Sequence, residues 1–502
     1  MLGIVFPHQC FKQIPAHWTE ICFVRHDIGY GGRQTTVPDF HVSRKIFLRA
    51  VEAAWLAGLP TRFAGAVRIV PRGAPATAWA TREPCEVWDP VDRMLEAQVR
   101  RQCPNAVVLE SPAFLLSREE ALSTLGDGKH ASHHAFYERM RHETGILMSA
   151  RGEPLGGSLR LDEENRQPLP AKGLTLPDWA AEIRQRQHSG SKWVQEAAAQ
   201  VLAEQGRKKM IGEWTGELVF PTTRSGALAA LRRFVGERLA KFGPYQDAML
   251  AREESASADD GAFLFHSVLS APLNVGLLTP AEVITAALEH RPRAPLASLE
   301  GFVAQVLGWR EFMRAVYVRD PVPPPNRLGH LRSLSPAWFP LSGSGPHAHS
   351  APTGLRPVDD AVARVCRHAY LHHIDRLMIV GNAMFLLRIH PDEVYRWFMT
   401  MFADSWDWVM IGNVYYMSQW CSDAITTKPY ISSSAYVRRM SRGYEEGSDV
   451  WSPAWDALYW STVGRLGPLL RRNYRMAAQV AMWERKSAAE KSMIMAEAKR
   501  WS

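Results

Sequence analysis

Cysteine is scarce in this chain. Only Cys10, Cys22, Cys85, Cys103, Cys366 and Cys421 occur in 502 residues, and no two of them form a C-x-x-C pair. That spacing supports neither a zinc site nor a ferredoxin-type cluster. A disulfide framework is not expected in a chain this large, so a reducing cytosol fits. Long apolar runs are missing too: no stretch reaches the roughly 18 residues that a membrane span needs. The opening residues Met1–Phe11 lack a basic segment followed by a long apolar run. These absences predict a cytoplasmic protein with no membrane partner. No G-x-G-x-x-G follows the first apolar run, which removes the usual dinucleotide fingerprint, and there is no internal repeat. Neither sign of charge dominates. The 59 Lys+Arg against 51 Asp+Glu leave a net charge of +8, which permits an anionic partner without requiring one. Residues 431–502 hold 12 Lys+Arg and 7 Asp+Glu, so most of the excess sits at the end of the chain. A solvated helical surface explains that as well as a binding face does.

What is present changes character along the chain. Gly3–Phe6 and Glu20–Val24 read as short buried strands, and Val67–Val70, Glu86–Trp88 and Ala106–Leu109 as further strands. His41–Leu56 reads as a helix, and so does the segment from Val91 to Gln102. Alternation of this kind argues for a parallel α/β sheet. His134–Met148 is expected to be helical, and Arg151–Pro177, rich in Gly and Pro, to be a long surface connection. From residue 221 helices dominate. Thr223 is placed to cap a helix whose apolar stripe is Ala227, Leu228, Leu231, Phe234, Val235 and Leu239, with Gly243 ending it. Pro391 suits a first helical position, and Asp392 and Glu393 the positive end of the dipole. Asp320–Pro357 reads as a Pro/Ser/Gly-rich loop.

Chemistry concentrates between Tyr370 and Tyr436. His372 and His373 are adjacent on an expected helix, so they point about 100° apart and only one can face a given pocket. A histidine titrates near neutrality and can donate a proton to an intermediate; the alternative is a satisfied core histidine. Asp404 and Asp407 stand at i, i+3 on an expected helix, beside Trp406 and Trp408. Carboxylates among indoles are costly unless bonded. Either a bound heterocycle with N–H donors satisfies one, or a helix cap or an ion pair with Arg310 or Arg376 does. Asn382 and Asn413 are placed to read the edges of such a ring. Ser267 and Ser270 suit a pyrophosphate, or simply cap helices. Trp397 is either core or part of an electron relay. Tyr430 and Tyr436, followed by Arg438, Arg439 and Arg442, have the composition of a nucleic-acid surface, in which rings stack bases and guanidiniums hold phosphates.

Several stretches in order carry a family resemblance: Phe6–Gln9, Asp162–Pro170, Phe242–Met249, His266–Leu278, Glu300–Arg314, His372–Asn382, Met417–Trp420 and Thr426–Ser432. On these the chain resembles the cryptochrome/photolyase superfamily, specifically the bacterial 6-4 photolyase branch usually described as iron–sulfur proteins. The resemblance implies a Rossmann-like parallel α/β antenna domain (1–130), an interdomain linker with helices and a long loop (131–220), and a helical FAD- and DNA-binding domain (221–502). It implies a flavin pocket that includes Tyr245, Ser267, Ser270, Arg310, Asn382 and Asp404. His373, with His372 beside it, and Tyr430 would face the lesion. Trp397 would carry electrons, and Tyr436, Arg438 and Arg439 would bind DNA. The implied antenna is 6,7-dimethyl-8-ribityllumazine. The implied partner is UV-damaged DNA, bound by a monomer that sits on the bacterial nucleoid when engaged. The implied reaction is light-driven repair of 6-4 photoproducts by electron transfer from reduced FAD, the lesion being flipped out of the duplex.

One departure is plain. The branch places a cysteine before the paired histidines and three after the Thr426–Ser432 stretch, but there is none at Pro357–Val358 or in Met440–Trp460. No iron–sulfur cluster is therefore expected, and no other metal. Trp451, Trp455 and Tyr459 are expected to pack in the vacated space. Phe398 also stands where a tyrosine often follows the electron-path tryptophan. A cryptochrome-like photoreceptor without repair activity is the rival reading. A light-independent nucleic-acid-binding protein is the third.

Overall fold

The computed structural model describes the whole chain except residues 32–36, 38, 127, 162–164, 189–190, 207–208, 255–259, 342–352, 445–450 and 502. Asp162, Glu163 and Glu164 of the family-like stretch thus lie outside the described residues, as do parts of the Asp320–Pro357 and Met440–Trp460 segments.

The chain opens as α/β and continues as a helical assembly. Five strands, β1 (Leu2–Val5), β2 (Glu20–Val24), β3 (Val67–Val70), β4 (Cys85–Trp88) and β5 (Ala106–Leu109), form one sheet in the order β3-β2-β1-β4-β5. Every pairing is parallel; Leu2 sits between Glu20 of β2 and Cys85 of β4. The three inner strands are apolar because both their faces are covered. The edge strand β5 leaves Val107 and Val108 largely in water. Gly3 is needed in β1, since a Cβ there would lie 2.1 Å from the Trp18 ring.

Helices take over after the sheet. Thr223 caps the helix Arg224–Arg233 as expected, accepting from the Gly226 N–H. Gly243 does not end that run. The chain stays helical through a wider π turn at Phe234–Arg238 and on to Tyr245, with Pro244 inside the last segment. The reason is tertiary: the Gly243 N–H donates to Ser298 Oγ at 2.6 Å on the neighbouring helix Leu296–Val303, and a Cβ at Gly243 would meet Ser298 Cα at 2.7 Å. Close packing, not termination, is what uses this glycine.

Buried charges tie the α/β part to the helices. Glu311 accepts the N–H groups of Leu115 and Leu116 at 3.0 and 3.3 Å. Arg314 reaches Asp89 at 3.1 Å. His41 caps the helix Val42–Ala57 through Nδ1 and meets the Cys366 carbonyl at 2.7 Å through Nε2. Buried groups of this kind demand their partners, so they specify one docking of the two parts. No helix among the described residues is long and apolar enough to cross a membrane.

Candidate functional site

The site begins where a helix is forced to stop. The helix Pro391–Met401 starts as expected, with Pro391 in its first turn and Asp392 and Glu393 at its positive end. At its far end the buried guanidinium of Arg44, from the α/β part, donates to the carbonyls of Met399 (3.4 Å), Phe402 (3.1 Å) and Ser405 (2.6 Å). Those carbonyls belong to the last turn and the bend beyond it, where acceptors have no intrahelical donor. Phe402 becomes extended, and a new helix begins only at Asp407. Asp404 and Asp407 therefore do not share a helical face, contrary to their spacing. Asp404 lies on the bend. Asp407 turns elsewhere and accepts from the hydroxyls of Tyr317 (2.5 Å) and Tyr395 (2.6 Å).

Asp404 is the centre of a buried polar cluster. Arg376 grips it in the bidentate manner, at 2.9 and 3.0 Å. Ser270 Oγ donates to the same carboxylate at 2.5 Å. Asn274 Nδ2 donates to the Asp404 carbonyl at 2.8 Å, and Asn274 Oδ1 accepts from Arg310 at 2.6 Å. The ion-pair alternative is thus realised with Arg376. Arg310 stands one residue removed from Asp404, wedged between Phe114 and Trp408; burial pushes its pKa down to about 10. Ser270 opens a helix of only five residues and spends its hydroxyl on Asp404 rather than on a cap.

The paired histidines leave the helix the sequence suggests. Ala369, in the left-handed region at φ 52°, ends the helix Arg356–His368. Tyr370 and His372 sit in the link, and only His373 opens the next helix, which widens into a π turn at Asp375–Gly381. His372 is fully buried, stacked flat on His266 with centroids 4.7 Å apart. Burial, then the Arg364, His373 and Arg376 charges, hold its pKa well below the usual range. Behind it Asp375, paired with Arg364 at 3.3 Å, is pushed up to about 6 by burial. His373 differs. Water reaches its side chain, yet surrounding protein, helped by Arg376 and Arg166, lowers its pKa to about 4. His373 is thus an exposed side chain on a segment whose neighbours are buried. Ser267, Ser270 and Arg376 are also partly reachable by water, while Val268, Leu269, Leu371 and Ile374 beside them are buried.

The wall carrying Tyr430 and Tyr436 is held from behind. Asn382, fully buried, donates to Ser432 Oγ at 3.0 Å, and its Oδ1 has no partner. Trp455 Nε1 donates to the Ser432 carbonyl at 2.9 Å, and Asp456 accepts from Ser434 N and Oγ at 2.8 and 2.9 Å. Trp451 packs edge-on against Trp455 at 5.9 Å on the helix Trp451–Leu470, with Tyr459 buried one turn on. The expected aromatic packing is present. Among the described residues no three His, Cys, Asp or Glu side chains stand close enough to hold a metal. Trp455→Ala is expected to cost about 3–5 kcal/mol and to loosen the wall. Denaturant unfolding measures the first effect and hydrogen exchange over residues 430–440 the second; unchanged exchange would refute the supporting role.

Arg166 is half-exposed and stands 3.8 Å from Asp247; after burial and Arg376, its charge is a smaller cause of the lowered His373 pKa. Arg439 is exposed over the Tyr436 ring at 5.7 Å, and Arg438 is half-buried beside it. Tyr245 lies next to Phe265, at 5.4 Å, in a small satellite core that also holds Leu250 and Leu264. Asn413 donates one of its two amide hydrogens to the Val409 carbonyl of its own helix at 2.8 Å. Trp397 is fully buried. It meets Phe402 at 5.6 Å on the side of the Arg376–Asp404 pair and Trp338 at 6.0 Å on the other, where its Nε1 donates to the Trp338 carbonyl.

Sequence reasoning did not single out His266, Arg166, Trp338 or Arg44. A signal existed for His266, which adjoins Ser267. Arg166 lies in the family-like stretch Asp162–Pro170, while Trp338 and Arg44 are recruited from segments that carry no local pattern.

Comparison with known proteins follows the same lines. The chain is 32% identical over 404 residues to a protein of Agrobacterium fabrum named (6-4) photolyase, covering 77% of this chain and 73% of that one. Residues 76–215 match the family model described as deoxyribodipyrimidine photo-lyase-related protein. Two solved structures share the fold at low identity. A bacterial class III photolyase from Agrobacterium tumefaciens has a TM-score of 0.50 at 15% identity, over 94% of this chain and 86% of that one. A cryptochrome of Synechocystis sp. PCC6803 has a TM-score of 0.52 at 14% identity, over 98% and 93%.

Proposed function

This chain belongs to the cryptochrome/photolyase superfamily, and on that footing we propose that it is a light-driven DNA-repair flavoprotein acting on 6-4 pyrimidine photoproducts. The observation that carries the reading is the exposed His373 one helical turn before Arg376, whose guanidinium grips the buried Asp404 together with Ser270. In this reading the flipped lesion enters a recess bounded by His373, Tyr430 and Tyr436, where it meets a proton-handling group and two rings.

The polar lining fits FAD. Buried Asn382 Oδ1 has no partner, and in this reading it joins Asp404, Ser267, Ser270 and Tyr245 in holding a flavin and its ribityl-phosphate chain. When bound, FAD supplies the light-excited electron that is lent to the lesion. The chain's own residues do the rest. Arg376 fixes Asp404 and keeps a positive charge beside the ring site. His373 holds the proton that the lesion needs for hydroxyl return, with His372 packed behind it. Tyr430 and Tyr436 wall the flipped base, while Arg438 and Arg439 take backbone phosphates. Trp397 extends an aromatic relay from Phe402 outward to Trp338. A 6,7-dimethyl-8-ribityllumazine antenna in the α/β part and the absence of an iron–sulfur cluster belong to the same proposal.

The test is an absorption spectrum with iron analysis, followed by a blue-light assay on an oligonucleotide with a defined 6-4 lesion. We expect flavin and lumazine bands, no stoichiometric iron, and restoration of the two pyrimidines. Photoreduction without restoration would move the reading to a photoreceptor. A colourless protein would end it.

A further inference from the structure

A second aromatic–cation pair reaches the same face from the C-terminal helices. Asn473 does two things at once. Its Oδ1 accepts from the Arg475 N–H at 3.0 Å and caps the helix Tyr474–Arg485. Its Nδ2 donates to the carbonyl and hydroxyl of Thr427, both at 3.2 Å. The helix is thereby pinned beside the Thr427–Tyr430 stretch that leads into the wall. The pinning presents Tyr474, which is 77% exposed. Arg475, also exposed, lies alongside: its guanidinium is 5.4 Å from the Tyr474 ring centre, and its Nε donates to the phenol oxygen at 2.6 Å.

Lone exposed aromatics are common and mean little. The electrostatics here add something independent. Lys428 is half-buried, and burial and then the Arg475 charge lower its pKa. Arg475 also acts on Tyr430. Among the described residues neither Lys428 nor Arg475 has a carboxylate partner within ion-pairing distance, whereas neighbouring Arg471 pairs with Glu484. The Asn473–Thr427 bonds bring the start of the Tyr474–Arg485 helix against the segment that carries Lys428, and a phosphate bound there would meet both cations. An exposed ring next to a phosphate-binding cation is the arrangement that single-stranded nucleic acid uses, base on ring and backbone on guanidinium.

We propose that Tyr474, Arg475 and Lys428 form a second nucleic-acid contact, holding a backbone phosphate and stacking an unpaired base next to the lesion recess. This rests on the DNA-repair reading, and it extends the DNA face from Tyr430 onto a helix that none of the recess residues belongs to. The unpaired base fits because flipping the two-pyrimidine lesion leaves the bases opposite it without partners.

The experiment measures binding of a fluorescently labelled oligonucleotide, single-stranded and duplex, with and without a 6-4 lesion, across a salt series, with retained flavin absorbance as the check on folding. We expect Tyr474→Ala to weaken binding roughly tenfold, most on single strands and lesion duplex, and Tyr474→Phe to restore it. Arg475→Gln and Lys428→Gln are each expected to lower the slope of log affinity against log salt by about 0.7–0.9. Wild-type binding with unchanged affinity and slope in all these variants would overturn the second contact and leave the repair reading standing. Weakened variants of a protein that repairs nothing would keep the contact and overturn the repair reading. A wild type that binds no oligonucleotide at low salt overturns both. If an acidic peptide is bound more tightly than DNA at equal ionic strength, the face belongs to a protein partner and the proposal fails.

Discussion

His373→Ala is expected to cut repair of a 6-4 lesion at least about a hundredfold while the purified protein keeps its flavin. A positioned general acid contributes about 10²–10⁴ in rate, so the variant should retain at most about one per cent of wild-type turnover under saturating light. Flavin retention is expected because His373 touches none of the bonds that hold Asp404, Arg376 and Ser270 together. The pH profile gives a sharper reading. In the free protein burial, Arg376 and Arg166 disfavour the protonated ring and lower its pKa from 6.5 to about 4. Proton donation from the imidazolium is then favoured as pH falls, and phosphates arriving near Arg166 offset part of the repulsion. Arg166→Gln removes one repelling charge, so the pKa rises and the basic limb of the repair rate moves to higher pH. Turnover at saturating DNA, measured from pH 5.5 to 9, checks this. A limb that stays in place, or moves lower, would refute the electrostatic role given to Arg166.

Asp404→Ala is expected to yield a colourless and much less stable protein. Asp404 is 4% exposed and bears the bidentate pair with Arg376. Removing one partner of a buried pair costs about 3–5 kcal/mol, because the other charge is left uncompensated. Arg376 cannot swing to water cheaply, since its guanidinium is packed over Phe402 at 4.2 Å and Tyr370 at 4.9 Å. The double replacement Asp404→Leu with Arg376→Met separates structure from function. Buried ion pairs can often be exchanged for apolar groups of similar volume at little cost, so the double variant should recover much of the lost stability and still bind no flavin. Thermal unfolding and the visible spectrum measure the two effects. A single Asp404→Ala variant that stays both stable and yellow would sink the assignment of this carboxylate.

Much of the architecture was legible in the residues. β2, β3 and β5 match the expected strands residue for residue, and β1 and β4 differ only at their ends, because short apolar runs punctuated by Pro, Gly and polar turns have few other ways to fold. The Thr223 cap and the Pro391 start are local chemistry and were legible for the same reason. The wall's aromatic support was legible from Trp451, Trp455 and Tyr459, whose spacing repeats every four residues on one helical face.

The site was legible as an inventory and not as an arrangement. Asp404 and Asp407 read as neighbours on a helix, and local spacing alone allowed nothing else. Arg44, some 360 residues earlier, takes the carbonyls at the helix end and sends the two carboxylates apart. His372 and His373 read as helical partners, yet Ala369 ends one helix and His373 begins the next. The chain by itself determined which segments become strands and helices and which polar groups are available, because those follow from periodicity and capping within a few residues. Only the tertiary structure decided which carboxylate meets Arg376, which histidine keeps contact with water and which cations gather around Tyr430. Burial, Coulomb attraction and unmet hydrogen-bond demand act between groups that are close in space, whatever their distance along the chain.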